Sequence, residues 1–176
     1  MDTEQQETLN ILLKAIRMEI DGKEFYLKAS RTSGNKLGTK LLKSLADAED
    51  VHLCQFEDIY SSISQNKGWP EISIKTSKNE PLKNLFRQAI TEIGKGIKPA
   101  KSELQDVETA MDMENKSYDY YIAISSNASH ETGKSFLKSL AAEEREHYLL
   151  LLDYHEFLSD PENYFTTREH HSLDGG

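Results

Sequence analysis

The sequence predicts an all-α protein, a four-helix bundle with a long crossover that contains a short extra helix. Three observations favour this fold. The segment LKSLADAEDVH at residues 42–52 recurs as LKSLAAEEREH at residues 137–147, an offset of 95, with seven of eleven positions identical. Apolar residues recur at spacings of three, four and seven along four long segments, as on a buried helix face. The 176 residues include only 4 Pro and 9 Gly.

The repeat extends upstream of this segment, so the chain consists of two related halves. At the same offset the following positions coincide: Glu19 with Glu114, Tyr26 with Tyr121, and Gly38 with Gly133. Each half has a Glu, a Tyr seven residues later, and a Glu-x-x-His motif thirty residues after that Glu. A single Glu-x-x-His is a weak signal. Here register, spacing and flanking residues repeat together, which makes the signal strong.

Composition excludes several classes of protein. The net charge of −9 repels phosphate backbones, so we expect no nucleic-acid partner. The sequence contains no run of 18 apolar residues, so we expect no transmembrane helix. The acidic N-terminus lacks the apolar core of a signal peptide, and Cys54 is the single cysteine. These features favour the cytoplasm and exclude a disulfide within the chain.

The first half predicts an antiparallel pair of helices. Residues 4–32 form the first, with Glu19 in its apolar stripe, and Gly22 either leaves room beside Glu19 or is a tolerated small residue. A turn at 31–38 precedes a helix that runs to about residue 65, with Glu49 and His52 on its buried face. Glu19 and Glu49 each lie ~14 residues from the turn, which places both ~20 Å from it.

The second half follows a long connection. Residues 66–99 form the crossover, with a loop at Trp69-Pro70 and a short helix at 80–95. Helices are expected at 100–127 and 131–158, separated by a turn at 127–130. The bundle would thus occupy residues 1–158, with repeats at about 9–65 and 100–158. In the tail at 159–176 we expect Tyr164 and Phe165 to anchor the chain, and His170-His171 to be surface sequence.

Four antiparallel helices would place four Glu and two His at one level of the core. These residues are Glu19, Glu49, His52, Glu114, Glu144 and His147. Buried carboxylates repel one another at pH 7, and two divalent cations would neutralise four of them. A Glu from each of two helices and Glu-x-x-His from the other two is the ligand set of dinuclear carboxylate sites. Mixed oxygen and imidazole ligands suit Fe(II) or Mn(II).

Other residues near this level carry weaker signals. Tyr26 and Tyr121 each lie two turns from a Glu on the same face, so each either hydrogen-bonds a ligand carboxylate or is an ordinary core tyrosine. Cys54 lies off the ligand stripe, and Trp69 and Tyr60 are interpreted as packing residues.

The order Glu19…Tyr26…Glu49-x-x-His52…Glu114…Tyr121…Glu144-x-x-His147 resembles the ferritin-like superfamily, and most closely its rubrerythrin branch. The resemblance covers about residues 9–158 and implies a non-haem protein with two iron ions per chain. By the motif, Glu49 and Glu144 would bridge the metals. Glu19 and His52 would bind one iron, and Glu114 and His147 the other.

The sequence departs from the rubrerythrin pattern in two respects. Rubrerythrins usually carry a C-terminal rubredoxin-like domain with paired Cys-x-x-Cys motifs, whereas this sequence has one cysteine, so we expect a separate electron donor such as a rubredoxin. They also carry an additional Glu one turn after the third-helix ligand, which takes part in iron movement during peroxide reduction. Ser117 occupies that position here and puts the peroxidase activity in question.

Three functions are consistent with the sequence. The first is an oxidoreductase that reduces peroxide or dioxygen at a di-iron centre in oxidative-stress defence, and it is expected to be a homodimer. The alternative is a ferritin-like protein that oxidises and stores or buffers iron within a large hollow oligomer. The third is a helical bundle with a vestigial site, which would bind no stoichiometric metal.

Overall fold

A computed structural model describes residues 3–70 and 101–164, together with Asn84 and Phe86. Four long helices make up nearly all of the described chain, and no strand occurs within it. The helices are α1 (Thr3–Thr32), α2 (Lys36–Ser64), α3 (Lys101–Asn127) and α4 (Glu131–Ser159). The helix ends lie within about one residue of the predicted ends, except that the first turn is shorter than predicted. The predicted all-α four-helix bundle is confirmed.

The helices pair as two antiparallel hairpins. The α1–α2 turn consists of residues 33–35, and the side chain of Asn35 caps α2 by accepting a hydrogen bond from the Gly38 amide at 2.8 Å. The α3–α4 turn consists of residues 128–130, where His130 makes no such side-chain bond. The two turns therefore differ although the helices on either side repeat.

The hairpins pack so that neighbouring helices from different halves are also antiparallel. Tyr26 of α1 contacts Glu114 of α3, whereas the earlier residue Glu19 contacts the later residue Tyr121. This reversed order is possible only when α1 and α3 run in opposite directions. Helices α2 and α4 are antiparallel by the same argument, since His52 contacts Glu144 and the earlier residue Glu49 contacts the later residue His147. A long crossover is needed to produce this arrangement.

Most of the predicted crossover helix at residues 80–95 lies outside the described residues. Of its members, Asn84 and Phe86 are described, and both are helical. Phe86 is buried and packs edge-on against Tyr154, with ring centroids 6.3 Å apart. The crossover therefore contributes at least one side chain to the bundle core.

The apolar core consists of two clusters, one towards each end of the bundle. The cluster near the α1–α2 turn includes Tyr26, Leu41, Leu45, Leu151, Tyr154 and Phe157. The cluster near the α3–α4 turn includes Leu12, Phe56, Ile59, Tyr121, Phe136 and Leu140. Between them lies a layer of buried carboxylates and imidazoles. The packed clusters exclude water from both ends of this layer.

Gly38 and Gly133, which coincide in the repeat, each allow a close approach near a turn. A Cβ added at Gly38 would lie 2.6 Å from Glu103 Oε1, and one at Gly133 would lie 2.7 Å from the Trp69 ring. Either contact is too short for real atoms, so an alanine would require its neighbour to move. Both glycines therefore leave space for a close neighbour, and the neighbour differs between the halves.

The C-terminal segment is described as far as Tyr164. Tyr164 is 9% exposed, and its ring packs edge-on against the Phe157 ring with centroids 5.5 Å apart, as predicted for an anchor. Phe165 and His170-His171 lie outside the described residues. In the described part of the chain, no helix is long and apolar enough to cross a membrane.

Candidate metal centre

Six polar side chains from all four helices meet in the layer between the core clusters. They are Glu19 of α1, Glu49 and His52 of α2, Glu114 of α3, and Glu144 and His147 of α4. None is more than 4% exposed. Residues three apart on a helix share a face, so each Glu-x-x-His motif directs both side chains inwards. The structure brings together all six residues that were predicted as ligands.

The first donor cluster surrounds His52. Its Nδ1 lies 3.4 Å from Glu19 Oε2, 3.6 Å from Glu49 Oε2 and 3.2 Å from Glu144 Oε1. One ligand atom from each of these four residues lies within 4.8 Å of the other three. Donor atoms about 2.1 Å from a shared transition-metal ion would be separated by similar distances. The cluster therefore fits one metal ion.

The second donor cluster surrounds His147 and repeats the first. Its Nδ1 lies 3.6 Å from Glu49 Oε1, 3.6 Å from Glu114 Oε2 and 3.8 Å from Glu144 Oε2. These four residues meet the same spacing criterion as the first cluster. The two imidazole rings are stacked, with centroids 5.8 Å apart and planes 22° from parallel. The layer thus contains two adjacent metal-sized clusters related by the repeat.

Glu49 and Glu144 belong to both clusters. Each directs one carboxylate oxygen to the His52 side and the other to the His147 side. Glu19 and Glu114 each belong to one cluster. A carboxylate that spans two clusters in this way is positioned to bridge two metal ions, whereas the other two are positioned at the outer ends.

Tyr26 and Tyr121 contact the outer carboxylates of the opposite half. The Tyr26 hydroxyl donates a hydrogen bond to Glu114 Oε1, and the Tyr121 hydroxyl donates one to Glu19 Oε1. Each tyrosine therefore holds one oxygen of its carboxylate, and the other oxygen faces a histidine. The sequence showed only that each tyrosine shares a face with the Glu of its own helix, and the crossed pairing required the α1–α3 contact.

Glu143 is a buried residue of the centre that the sequence reasoning missed. It is 5% exposed, and its Oε2 lies 3.2 Å from Nε2 of His52, the ring nitrogen that faces away from the donor cluster. Glu143 directly precedes the predicted ligand Glu144, and the apolar stripe of the helix did not include it. One signal was available: the repeat places Ala48 at the corresponding position, so the halves differ beside their Glu-x-x-His motifs.

Burial and mutual repulsion divide the four carboxyl groups into two kinds. Burial, together with the charge of Glu49 beside one and Glu144 beside the other, raises the pKa of Glu19 and Glu114 well above the usual range. Burial opposes ionisation of Glu49 too, yet the neighbouring Glu19 carboxyl group and the two imidazoles lower its pKa to about 2. The Glu114 carboxyl group and the same imidazoles hold the pKa of Glu144 well below its usual range.

The two imidazoles are protonated more readily than an ordinary histidine. Burial alone would lower the pKa of His52 and His147, but the carboxylates around each ring reverse the effect and raise both pKa values well above the usual range. In the metal-free centre, these shifts favour ionised Glu49 and Glu144 beside protonated imidazoles. Metal binding would displace protons of this kind.

The donor atoms that face the two clusters pass a further test for metal binding. Within the described residues, several of them are buried without a hydrogen-bond partner, and buried polar atoms normally have one. They are Glu19 Oε2, His52 Nδ1, Glu114 Oε2, Glu144 Oε1 and His147 Nδ1. All five atoms are aimed at the two clusters. Ligation to cations would satisfy them, so the residues present fit a metal pair.

The other residues discussed from the sequence are not among the six donors of the centre. Cys54 is exposed, and Trp69 and Tyr60 pack against the core cluster near the α3–α4 turn, as predicted. Gly22 is buried, and a Cβ added there would lie 3.6 Å from Glu49 Cγ, an ordinary contact. Gly22 thus faces the Glu49 side chain of the neighbouring helix. Ser117 is half-buried on α3, one turn beyond Glu114.

Comparison with known proteins identifies one family. The sequence model of the rubrerythrin family matches residues 10–155. No curated protein and no solved structure matches the chain. The matched range covers most of the chain, including both halves of the repeat and all six residues of the centre.

Proposed function

The chain belongs to the rubrerythrin family, and from this premise we propose that it is a non-haem di-iron oxidoreductase of the ferritin-like fold. In this proposal it reduces hydrogen peroxide, or dioxygen, in defence against oxidative stress. Electrons come from a separate donor such as a rubredoxin. The observation that carries the proposal is the pair of buried donor clusters that share Glu49 and Glu144.

The proposed ligands follow the two clusters. Glu19 and His52 hold one ion, Glu114 and His147 hold the other, and Glu49 and Glu144 bridge them. Two Fe(II) ions, when bound, would together supply the two electrons that convert one hydrogen peroxide and two protons into two waters. Manganese is the alternative metal, since its ligand preferences overlap with those of iron.

The protein side chains would position and shield the reacting centre. Tyr26 and Tyr121 orient the outer carboxylates by holding one oxygen of each. The apolar clusters on either side keep bulk water from the layer, which strengthens the electrostatic interactions within it. Ser117 offers no carboxylate where rubrerythrins have a further Glu, so the expected mechanism uses a fixed ligand set.

An anaerobic titration of the metal-free protein with Fe(II), followed by rapid mixing with an oxidant, tests the proposal. We expect saturation at two ions per chain and oxidation that is much faster with hydrogen peroxide than with dioxygen. The matched control is Glu144→Ala/His147→Ala, which should lose this stoichiometry. Failure of the unmodified protein to bind Fe(II) saturably would contradict the proposal and favour a vestigial site.

The size of the loaded protein in solution separates oxidoreductase from iron store. A homodimer that stops at two ions per chain supports the proposal. A hollow particle of many chains that takes up iron far beyond two per chain, with fast dioxygen oxidation, would instead assign the storage role. Light scattering and iron analysis on the same fractions give both quantities.

A further inference from the structure

The two halves of the metal centre differ at one buried position. Glu143 of α4 lies 3.2 Å from Nε2 of His52, and its counterpart at the offset of 95 is Ala48 of α2. Ala48 is 5% exposed, as is Glu143. Within the described residues, Nε2 of His147 is buried with no hydrogen-bond partner. One imidazole is therefore held from behind by a carboxylate, and the other is not.

This difference affects how well each histidine can act as a ligand. In both rings Nδ1 faces the donor cluster, so binding requires the Nδ1 lone pair to be free and the ring proton to be on Nε2. In His52, the Nε2 proton is donated to Glu143, which fixes both the tautomer and the ring orientation. In His147, the same tautomer leaves a buried N–H without an acceptor, and this arrangement is unfavourable.

We propose that Glu143 makes the two metal positions unequal, so that the position at Glu19 and His52 binds its ion first and more tightly. The position at Glu114 and His147 then binds second. This inference rests on the proposed dinuclear centre and adds an order of loading to it. Glu143 is a positioning residue in this role, because it acts on the metal only through the His52 ring.

Co(II) titration of the metal-free protein provides a readout that does not depend on activity. Absorption of the bound ion reports occupancy, and we expect two resolved steps in the unmodified chain. Glu143→Gln keeps the shape but replaces the anionic acceptor of the ring proton with a neutral amide oxygen. The neutral acceptor makes the His52 ring a weaker ligand, so the first step should weaken about 10- to 100-fold, as is usual when such a partner is mutated. The two steps should then merge.

Two single-position backgrounds show which ion Glu143 affects. His147→Ala leaves the position at Glu19 and His52, and there Glu143→Gln should weaken Co(II) binding about 10- to 100-fold. His52→Ala leaves the position at Glu114 and His147, and there the same substitution should change affinity less than about threefold. Thermal unfolding of each metal-free pair controls for a general loss of structure, which would weaken both backgrounds equally.

The internal repeat also supplies a test in the opposite direction. Ala48→Glu places a carboxylate where Glu143 lies in the other half, so in the His52→Ala background it should tighten Co(II) binding about 10-fold. Equal effects of Glu143→Gln in both backgrounds, or no effect in either, would overturn this inference while two bound ions still support the di-iron centre. A chain that binds no ion overturns both.

Discussion

Tyr26 and Tyr121 connect the two halves of the molecule at the level of single residues. Tyr26 of the first half donates a hydrogen bond to Glu114 of the second half, and Tyr121 of the second half donates one to Glu19 of the first. Both rings are at most 1% exposed. Burial, together with the facing carboxylates, raises the pKa of both hydroxyls well above the usual range, so both remain donors at any physiological pH.

Tyr26→Phe should destabilise the metal-free protein by about 1–3 kcal/mol, because it leaves Glu114 Oε1 buried without a donor. Tyr121→Phe should have the same effect through Glu19. Urea unfolding of chelator-treated protein measures both. The control is Tyr120→Phe, whose hydroxyl bonds the Ile11 carbonyl at an exposed position and should change stability by less than about 0.5 kcal/mol. Equal losses in all three variants would contradict this prediction.

The proton balance of the centre predicts a pH dependence of the metal-free protein. The raised pKa values of Glu19, Glu114, His52 and His147 mean that the folded state holds protons that the unfolded state releases at lower pH. Stability from these groups is present below their unfolded values of 4.5 and 6.5 and is lost as pH rises through the folded values. We therefore expect the Tm to fall as the pH rises above 6.5, because there the unfolded chain has already released these protons.

Scanning calorimetry of chelator-treated protein across that range measures the fall. Glu19→Gln/Glu114→Gln replaces two ionisable groups by neutral ones of similar shape, so this variant should show a smaller decrease. A Tm that stays constant or rises up to pH 9 would show that these groups do not hold the extra protons.

At the scale of the elements, the first turn of α3 fixes the α1–α2 turn. Glu103 is 4% exposed, and its Oε1 accepts hydrogen bonds from Ser33 Oγ at 2.5 Å, Asn35 Nδ2 at 3.0 Å and the Tyr154 hydroxyl at 2.7 Å. Its Oε2 accepts a weaker bond from the Gly34 amide at 3.3 Å. A single carboxylate therefore joins α3, α4 and the turn.

Glu103→Ala should cost about 2–3 kcal/mol of unfolding free energy, because it leaves several partly buried donors without their acceptor. Glu108→Ala is the matched control on the same helix. Glu108 is 62% exposed and pairs with His155 at 3.2 Å, a surface contact worth about 0–1 kcal/mol. Denaturant unfolding compares the two variants. If Glu103→Ala lowers the unfolding free energy no more than Glu108→Ala does, the Glu103 carboxylate does not stabilise the α1–α2 turn.

At the scale of the whole molecule, the proposed metal pair joins all four helices. One cluster takes side chains from α1, α2 and α4, and the other from α2, α3 and α4. Each ion therefore connects the two halves of the repeat. Ions of this kind bind the folded chain and not the unfolded one, so they should stabilise the bundle as a unit.

Removal of the metal should lower the Tm of the loaded protein. Free ion at 100 times its dissociation constant stabilises by about 2.7 kcal/mol per position. Scanning calorimetry with and without chelator measures the shift. Glu49→Gln weakens both positions and should reduce the shift, whereas His155→Ala, at a half-buried position outside the centre, should leave it intact. A shift that survives in Glu49→Gln would place the bound ions elsewhere.

The sequence by itself determined the four long helices, the internal repeat and the six polar residues that meet in one layer. Helix periodicity reports which residues share a face, and the offset of 95 gives the register between the halves. Glu19, Glu49 and His52 were therefore predictable as members of one level before any coordinates. The match of the rubrerythrin family over residues 10–155 agrees with that prediction.

The tertiary structure alone decided which side chains meet across helices. Tyr26 pairs with Glu114 because α1 and α3 are antiparallel neighbours, and no spacing within one helix contains that information. Glu143 precedes Glu144 on α4, so successive side chains diverge by about 100°, yet α2 approaches closely enough for Glu143 to contact His52. Such contacts depend on how helices are rotated and how closely they approach, which local sequence periodicity does not specify.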